Sequence, residues 1–357
     1  MQYRDYGQTG KKVSLLGFGG MRFASVDDHD ECIRMMLAAA EGGVNYFDTA
    51  PGYFETRSET VFGKGFAELR RRKLPYYAAT KTFASAESNI RREIEAQLKR
   101  MDIPAIDFYH IWSIKTLDEW EARKKDGILQ AFRKLKDEGL IRHICVSSHL
   151  TGDGIKELLM EGVFEGVLFG YSAYNFQTRQ AAFDAIRSKK LGAVVMNPLG
   201  GSIIPQHPER FKFLQRSDEG TVAAALRFLW DHPEITCTLV GFQTIAHVQE
   251  ALAAMDAYTP RTEAELAAVK AGVSASFEGL CTGCAYCDDC PVSIPIPKFM
   301  DVYNQKLLLG DSAMEGRLKW HWALDRSTAG SCTACGQCEK ACTQHINIIE
   351  RLKEIAG

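Results

Sequence analysis

An alternation constrains this chain more than any other feature. From residue 13 to about 241, short β-branched or apolar runs take turns with longer segments of helical period. The runs are Val13 to Phe18, Val44 to Asp48, Tyr76 to Lys81, Ile106 to Trp112, His143 to Ser147, Gly166 to Tyr171, Gly192 to Asn197 and Thr236 to Gly241. Between them, Ile90, Ile94, Leu98 and Met101 recur at helical spacing, and so do Ile128, Leu129, Phe132 and Leu135. Eight such units in about 250 residues predict a parallel (β/α)8 TIM barrel. Tyr3-Arg4 and the Gly7 to Gly10 stretch read as a short hairpin ahead of the first barrel strand, placed to plug the barrel floor. Ile245 to Met255 and Glu263 to Ala275 read as helices, and composition shifts abruptly at Phe277-Glu278-Gly279, so the boundary is expected near 276. The division is then a barrel over 1–276 and a smaller unit over 277–357.

That smaller unit is defined by cysteine. Of 11 cysteines, Cys32, Cys145 and Cys237 stand singly and read as core residues. The rest form two tight runs, Cys281-x2-Cys284-x2-Cys287-x2-Cys290 and Cys332-x2-Cys335-x2-Cys338-x3-Cys342. This is ligand spacing, and it implies a reducing compartment. The second run has the spacing of bacterial ferredoxins, in which the fourth cysteine reaches across to the other cluster. Two [4Fe–4S] clusters follow, in a small, mainly helical, ferredoxin-like domain. On that crossing rule one is held by Cys281, Cys284, Cys287 and Cys342, and the other by Cys332, Cys335, Cys338 and Cys290. Two four-cysteine zinc sites, or a single cluster, are the competing arrangements. The first run's last gap is two residues rather than three, and Thr343 stands where proline usually follows the final cysteine.

Composition excludes several classes. With 46% hydrophobic and 25% charged residues and a net charge of −2, nothing favours a nucleic acid or an anionic membrane as partner. No apolar stretch approaches a membrane span, and the start lacks a signal peptide's basic and apolar regions. A soluble, cytoplasmic protein is expected, and oxygen-labile clusters would point to an anaerobic or low-oxygen host.

Polar residues at the C-terminal ends of barrel strands are the candidates for chemistry. Asp48 ends the second run, Tyr53 follows it, and Lys81 ends the third. An ammonium beside a phenol stabilises the phenolate and lowers its pKa from about 10, which suits a proton donor and acceptor near neutrality. A buried lysine in turn needs an anion, which Asp48 supplies. The alternative is a structural Asp–Lys pair beside an unrelated loop tyrosine.

Several stretches taken together resemble the aldo-keto reductase superfamily, and within it the branch with a ferredoxin-like tail. They are Tyr3-Arg4-x-x-Gly7-x-Thr9-Gly10, Leu16-Gly17-Phe18-Gly19-Gly20-Met21-Arg22, Asp48-Thr49-Ala50-x-x-Tyr53 with Ser58-Glu59, Thr80-Lys81, Asp107-Phe108-Tyr109, Val146-Ser147, Tyr174-Asn175 and Pro198-Leu199-Gly200. The resemblance implies a barrel that binds NAD(P)H without a Rossmann domain and transfers hydride to a carbonyl. In it, Tyr53 would protonate the carbonyl oxygen, Lys81 would lower its pKa, and Asp48 would hold the lysine.

The family's catalytic histidine position falls on Trp112, an aromatic wall for the substrate pocket. His110 lies two residues earlier, on the same side of the strand and roughly 6–7 Å deeper. It either hydrogen-bonds into the site from below or is a satisfied core histidine. His149 is a second candidate for the lost polar role, its alternative being a loop histidine capping the next helix. For the cofactor, the resemblance points to Ser147, Ser148, Tyr171, Met196, Pro198, Leu199, Gly200, Gly241, His247 and Glu250. His247 stands at the family's 2′-phosphate arginine position and Ala251 at its adenine-side asparagine, so NAD versus NADP stays open.

Clusters pass single electrons whereas nicotinamide delivers a pair, and no flavin fingerprint is present to broker between them. Three readings follow. One is a carbonyl or alcohol oxidoreductase acting on a small molecule, with clusters that are structural or regulatory. Another is a redox enzyme fed by a ferredoxin or flavodoxin partner. The third is a non-enzymatic electron-transfer or scaffold subunit with a degraded nicotinamide site.

Overall fold

The computed structural model describes residues 1–357 apart from 174, 175, 177, 178, 217, 218, 277, 278, 282–285 and 343. A two-stranded antiparallel hairpin, β1 (Tyr3–Asp5) and β2 (Lys12–Ser14), precedes the barrel. Eight parallel strands then close on themselves. They are β3 (Leu16–Gly19), β4 (Tyr46–Asp48), β5 (Tyr77–Thr82), β6 (Ile106–Ile114), β7 (Ile141–Ser148), β8 (Gly166–Gly170), β9 (Gly192–Met196) and β10 (Cys237–Gly241), with β10 pairing back onto β3. The first apolar run therefore splits. Val13 belongs to the hairpin and Leu16 opens the barrel, because Ser14 is tied sideways, its N–H donating to Asn45 Oδ1 at 2.8 Å.

The period of two decides what each strand contributes. Tyr46, Ala79, Phe108, Cys145, Leu168, Val194 and Cys237 form one buried layer inside the barrel with Tyr6 from the hairpin. Two residues further along, the same strands present Asp48, Lys81, Ser147, Gly170 and Met196 to a cavity at the C-terminal mouth. Residues on the alternate phase, such as Phe47, Tyr109, Val146 and Val195, pack outward into the large core beneath the surrounding helices. Asp28, Thr116, Thr151 and Thr244 cap four of those helices, each side chain accepting a backbone N–H of the first turn.

The hairpin does close the floor. Gly166 and Gly192 make room for Tyr6, since a Cβ on either would overlap its ring. Arg4 locks the hairpin from outside, donating to the carbonyls of Trp230 (2.6 Å), His232 (2.7 Å) and Ile235 (2.5 Å).

The tail has its own apolar core of Ile294, Phe299, Met300, Val302, Leu352 and Ile355, built mainly from helices Ile296–Leu309 and Ile348–Ala356. Among the described residues, no helix is long and apolar enough to cross a membrane.

The floor gives a direct test. Tyr6→Ala empties a fully buried site and should destabilise the barrel by about 3–5 kcal/mol, read by urea denaturation followed by far-ultraviolet circular dichroism.

Candidate active site

The cavity at the mouth has a volume of about 290 Å³. Lys81, at the end of β5, reaches across to Asp48 at the end of β4. Its Nζ donates to Asp48 Oδ1 at 2.5 Å and to the Thr49 carbonyl at 2.8 Å, with both charged side chains about 1% exposed. The same Nζ lies 5.1 Å from the centre of the Tyr53 ring. Register brings this about, because Asp48 pairs with Ala79 and the two inward side chains sit one step apart on neighbouring strands. A buried network braces the loop between them. Ser58 Oγ bonds Thr49 Oγ1 (2.8 Å) and the Gly20 carbonyl (2.9 Å), and Glu59 accepts from Thr80 Oγ1 (2.8 Å) and Arg100 (2.6 Å).

The electrostatics qualify the sequence-based expectation for Tyr53. Burial raises its phenol pKa more than the Lys81 ammonium lowers it, so the net shift is upward and Tyr53 holds its proton through neutral pH. Lys81 is held above its ordinary value, because attraction to Asp48 and Tyr53 outweighs the burial that opposes its charge.

Other expected residues distribute unevenly. Trp112 forms a wall, meeting Tyr53 edge-on (5.9 Å, 88°) and stacking on Phe83 (3.9 Å, 14°). Gly52 lets it come close, since a Cβ there would lie 2.8 Å from the indole. His110 lies one layer down and is not among the residues that line the cavity; its Nε2 meets the Tyr46 hydroxyl at 3.3 Å. Burial, helped by the Lys81 charge, drives its pKa down to about 3, so it is a neutral core histidine. His149 does line the cavity, and the helix that follows is capped by Thr151 instead.

Among the cofactor candidates, Ser147, Met196, Pro198, Leu199 and Gly241 line the cavity. Ser148 and Tyr171 do not, because the alternation turns each away from the lumen. Ser148 Oγ donates to the Ile114 carbonyl (3.3 Å), and Tyr171 is buried against Phe183 and Phe228 with its hydroxyl 3.1 Å from His232 Nε2. Gly200 turns the chain just beside the lining residues Leu199 and Gly201. His247 and Glu250 are exposed on the helix after β10, outside the lining. Tyr174 and Asn175 lie outside the described residues.

Two observations fit a nicotinamide group. Among the described residues, Ser147 Oγ is a buried hydroxyl without a hydrogen-bond partner, and Gly170 leaves open space where a Cβ would stand. Sequence reasoning missed Arg22, Arg179, Asn197, Tyr286 and Gln344 as lining residues. Three of these carried a visible signal: Arg22 closes a family-like stretch, Asn197 is a polar residue ending a strand run, and Tyr286 is an aromatic set inside a run of ligand cysteines.

In the tail, Cys284 lies outside the described residues. Cys281, Cys287 and Cys342 are buried in the tail's core, and Cys290, Cys332 and Cys338 pack against it. Asn304 fixes Cys281 by accepting its N–H (2.8 Å) and donating to its carbonyl (2.7 Å). Arg351 lies in the field of both Cys281 and Cys342, and Cys338 in that of Cys332. Among the described residues, no three histidine, cysteine or acidic side chains converge tightly enough to hold a lone metal ion. Soft thiol donors around an apolar core are the chemistry an iron–sulfur group takes.

The fold and the mouth geometry define a barrel oxidoreductase with an iron–sulfur tail. The chain belongs to the aldo/keto reductase family, whose sequence pattern it matches over residues 15–272, and residues 280–347 match a 4Fe-4S dicluster domain. It is similar to an L-galactose dehydrogenase of Arabidopsis thaliana, 28% identical over 288 residues that span 71% of this chain and 88% of that protein. It is also similar to YrpG, an uncharacterized oxidoreductase of Bacillus subtilis (strain 168), at 25% identity over 72% of this chain and 91% of that one. The solved aldo-keto reductase AKR11C1 from Bacillus halodurans, in its holo form, superposes with a TM-score of 0.67 at 25% identity, covering 76% of this chain and 96% of that one.

The buried pair gives the test. Lys81→Met leaves Asp48 charged and uncompensated, which should cost about 3–5 kcal/mol of stability in a chemical denaturation experiment.

Proposed function

We propose that the protein interconverts a small-molecule carbonyl and its alcohol with NAD(P)H, using Tyr53 as the proton donor. The observation that carries this reading is the single ammonium of Lys81, anchored on Asp48 and set beside the Tyr53 phenol at the cavity. A nicotinamide nucleotide, when bound, supplies the hydride. Tyr53 holds the proton destined for the carbonyl oxygen, and its raised pKa keeps that proton in place until negative charge builds on the substrate. Lys81 then stabilises the phenolate that remains. Ser147 would hold the carboxamide, with Met196, Pro198, Leu199 and Gly241 around it. The two units divide near residue 276.

In the tail we assign one [4Fe–4S] cluster to Cys281, Cys284, Cys287 and Cys342, and a second to Cys290, Cys332, Cys335 and Cys338. The burial of Cys281, Cys287 and Cys342 together in the tail's core, with Cys290, Cys332 and Cys338 packed against it, supports this pairing. One feature favours a second reading, in which a ferredoxin or flavodoxin feeds electrons to the tail in a cytoplasmic, low-oxygen setting. One end of the second cysteine run reaches solvent, with Cys335 and its neighbours Thr333 and Ala334 exposed.

Tyr53→Phe should abolish turnover while leaving iron content intact, and full activity in that variant would refute the proton-donor role. For the wild type, carbonyl reduction should hold steady through neutral pH and fall only as pH rises past a phenol pKa above about 10. Alcohol oxidation, which needs the phenolate, should instead rise with pH. An anaerobic titration with NADH and then NADPH tests whether the nicotinamide and the clusters exchange electrons directly. An unchanged cluster absorbance is expected for clusters outside the hydride path, and bleaching would show that nicotinamide electrons reach them.

A further inference from the structure

Tyr286 belongs to the cysteine run, one residue before Cys287, yet its side chain stands in the barrel mouth. Its hydroxyl oxygen accepts a hydrogen bond from Ser113 Oγ at 3.2 Å and lies 2.5 Å from His149 Nε2. The His149 ring meets the tyrosine ring edge-on at 4.4 Å, and Lys115 Nζ sits 4.1 Å from the ring centre. With Tyr53, Trp112 and His149, it lines the same cavity.

The barrel is shaped to receive it. Register shifts in β6 between Ile111 and Ile114, and within that bulge Ser113 takes a left-handed φ of 61°, a conformation that a side-chain-bearing residue adopts at a cost. His149 has no capping duty, and burial together with the charges of Arg179 and Lys115 keeps it neutral, with a pKa of about 3. Trp112 brings only an indole N–H to the mouth, and the tail adds the Tyr286 hydroxyl to the same cavity. One side of the cavity is aromatic, formed by Tyr53, Trp112 and Tyr286, with Trp112 packed between Phe83 and Tyr53.

We propose that Tyr286 is a specificity-determining residue of the reductase site, contributed by the iron–sulfur segment. It touches the substrate together with Tyr53 and selects flat aryl aldehydes and ketones held against Trp112. Ser113 and His149 are positioning residues that aim its hydroxyl. This rests on the carbonyl reading of Tyr53.

The test uses the full, iron-loaded chain with 4-nitrobenzaldehyde as probe and butanal as the alkyl comparison. Reduction is followed through NADH or NADPH consumption, and binding is measured separately by tryptophan fluorescence. Tyr286→Phe should raise both KM and the dissociation constant for the aryl aldehyde about tenfold, the size of one lost hydrogen bond, with the loss carried in KM more than in kcat. Tyr286→Ala should do more and erode the preference for aryl over alkyl aldehyde. Iron per chain, measured for both variants, shows that the tail is folded, and Tyr286→Phe keeps the ring should the alanine variant lose iron. A wild-type dissociation constant in Tyr286→Phe overturns the proposal, as does a wild-type protein that does not bind the probe. Failure of the underlying reading looks different: Tyr53→Phe would then keep its turnover, while the binding constants would still report on Tyr286.

Discussion

The buried contact between Lys81 and Asp48 is the interaction on which the rest of the mouth depends. Taking two charges out of water is costly, and the cost is offset only where geometry is close and further hydrogen bonds are made. Here the Thr49 carbonyl supplies one such bond, and the Tyr53 phenol lies within reach of the remaining positive field. The barrel's closure sets the register, the register sets the separation of β4 and β5, and that separation brings the carboxylate to the ammonium. Ser58, Glu59 and Arg100 brace the loop from behind, so Tyr53 is aimed by a network of side chains as well as by its own backbone.

Much of this was legible in the sequence, and for identifiable reasons. Barrel strands buried on both faces leave dense apolar runs, so all eight could be found, and a polar residue breaking such a run at its end, as Asp48 and Lys81 do, marks the mouth. Strand phase was less well used. Ser147 and Ser148 are adjacent, and a period of two allows only one of them to face the lumen; the same rule turns Tyr171 away while Gly170 faces in. The first strand's start was misplaced because Val13 and Leu16 look alike as apolar residues, and only the tertiary bond from Ser14 to Asn45 ends the hairpin where it does. The balance at Tyr53 was not legible either, since the sign of the shift depends on how much water the fold excludes, and no local pattern carries that quantity.

The contact of Tyr286 with Ser113 and His149 joins positions 173 and 137 residues apart. A sequence shows that an aromatic residue stands inside a ligand run; it does not show which neighbour that residue meets. The contact changes what the tail is in this protein. The tail contributes to the wall of the barrel mouth, as well as matching a 4Fe-4S dicluster domain.

The apolar interior is divided. Most of the tail's buried apolar residues form a cluster apart from the core beneath the barrel helices, while Leu280 and Leu308 of the tail pack into that barrel core and Tyr286 adds polar and aromatic contacts at the mouth. Cooperative all-or-none melting is a property of a single shared core, and a chain with two does not have one unfolding free energy. Metal binding would contribute to the stability of the smaller core, because Cys281, Cys287 and Cys342 belong to it, while the larger rests on its own packing and buried hydrogen bonds. On the way to the denatured state this chain would therefore pass through a species with an intact barrel and a loosened tail, in which the wall formed by Tyr286 is gone before the fold that carries Tyr53.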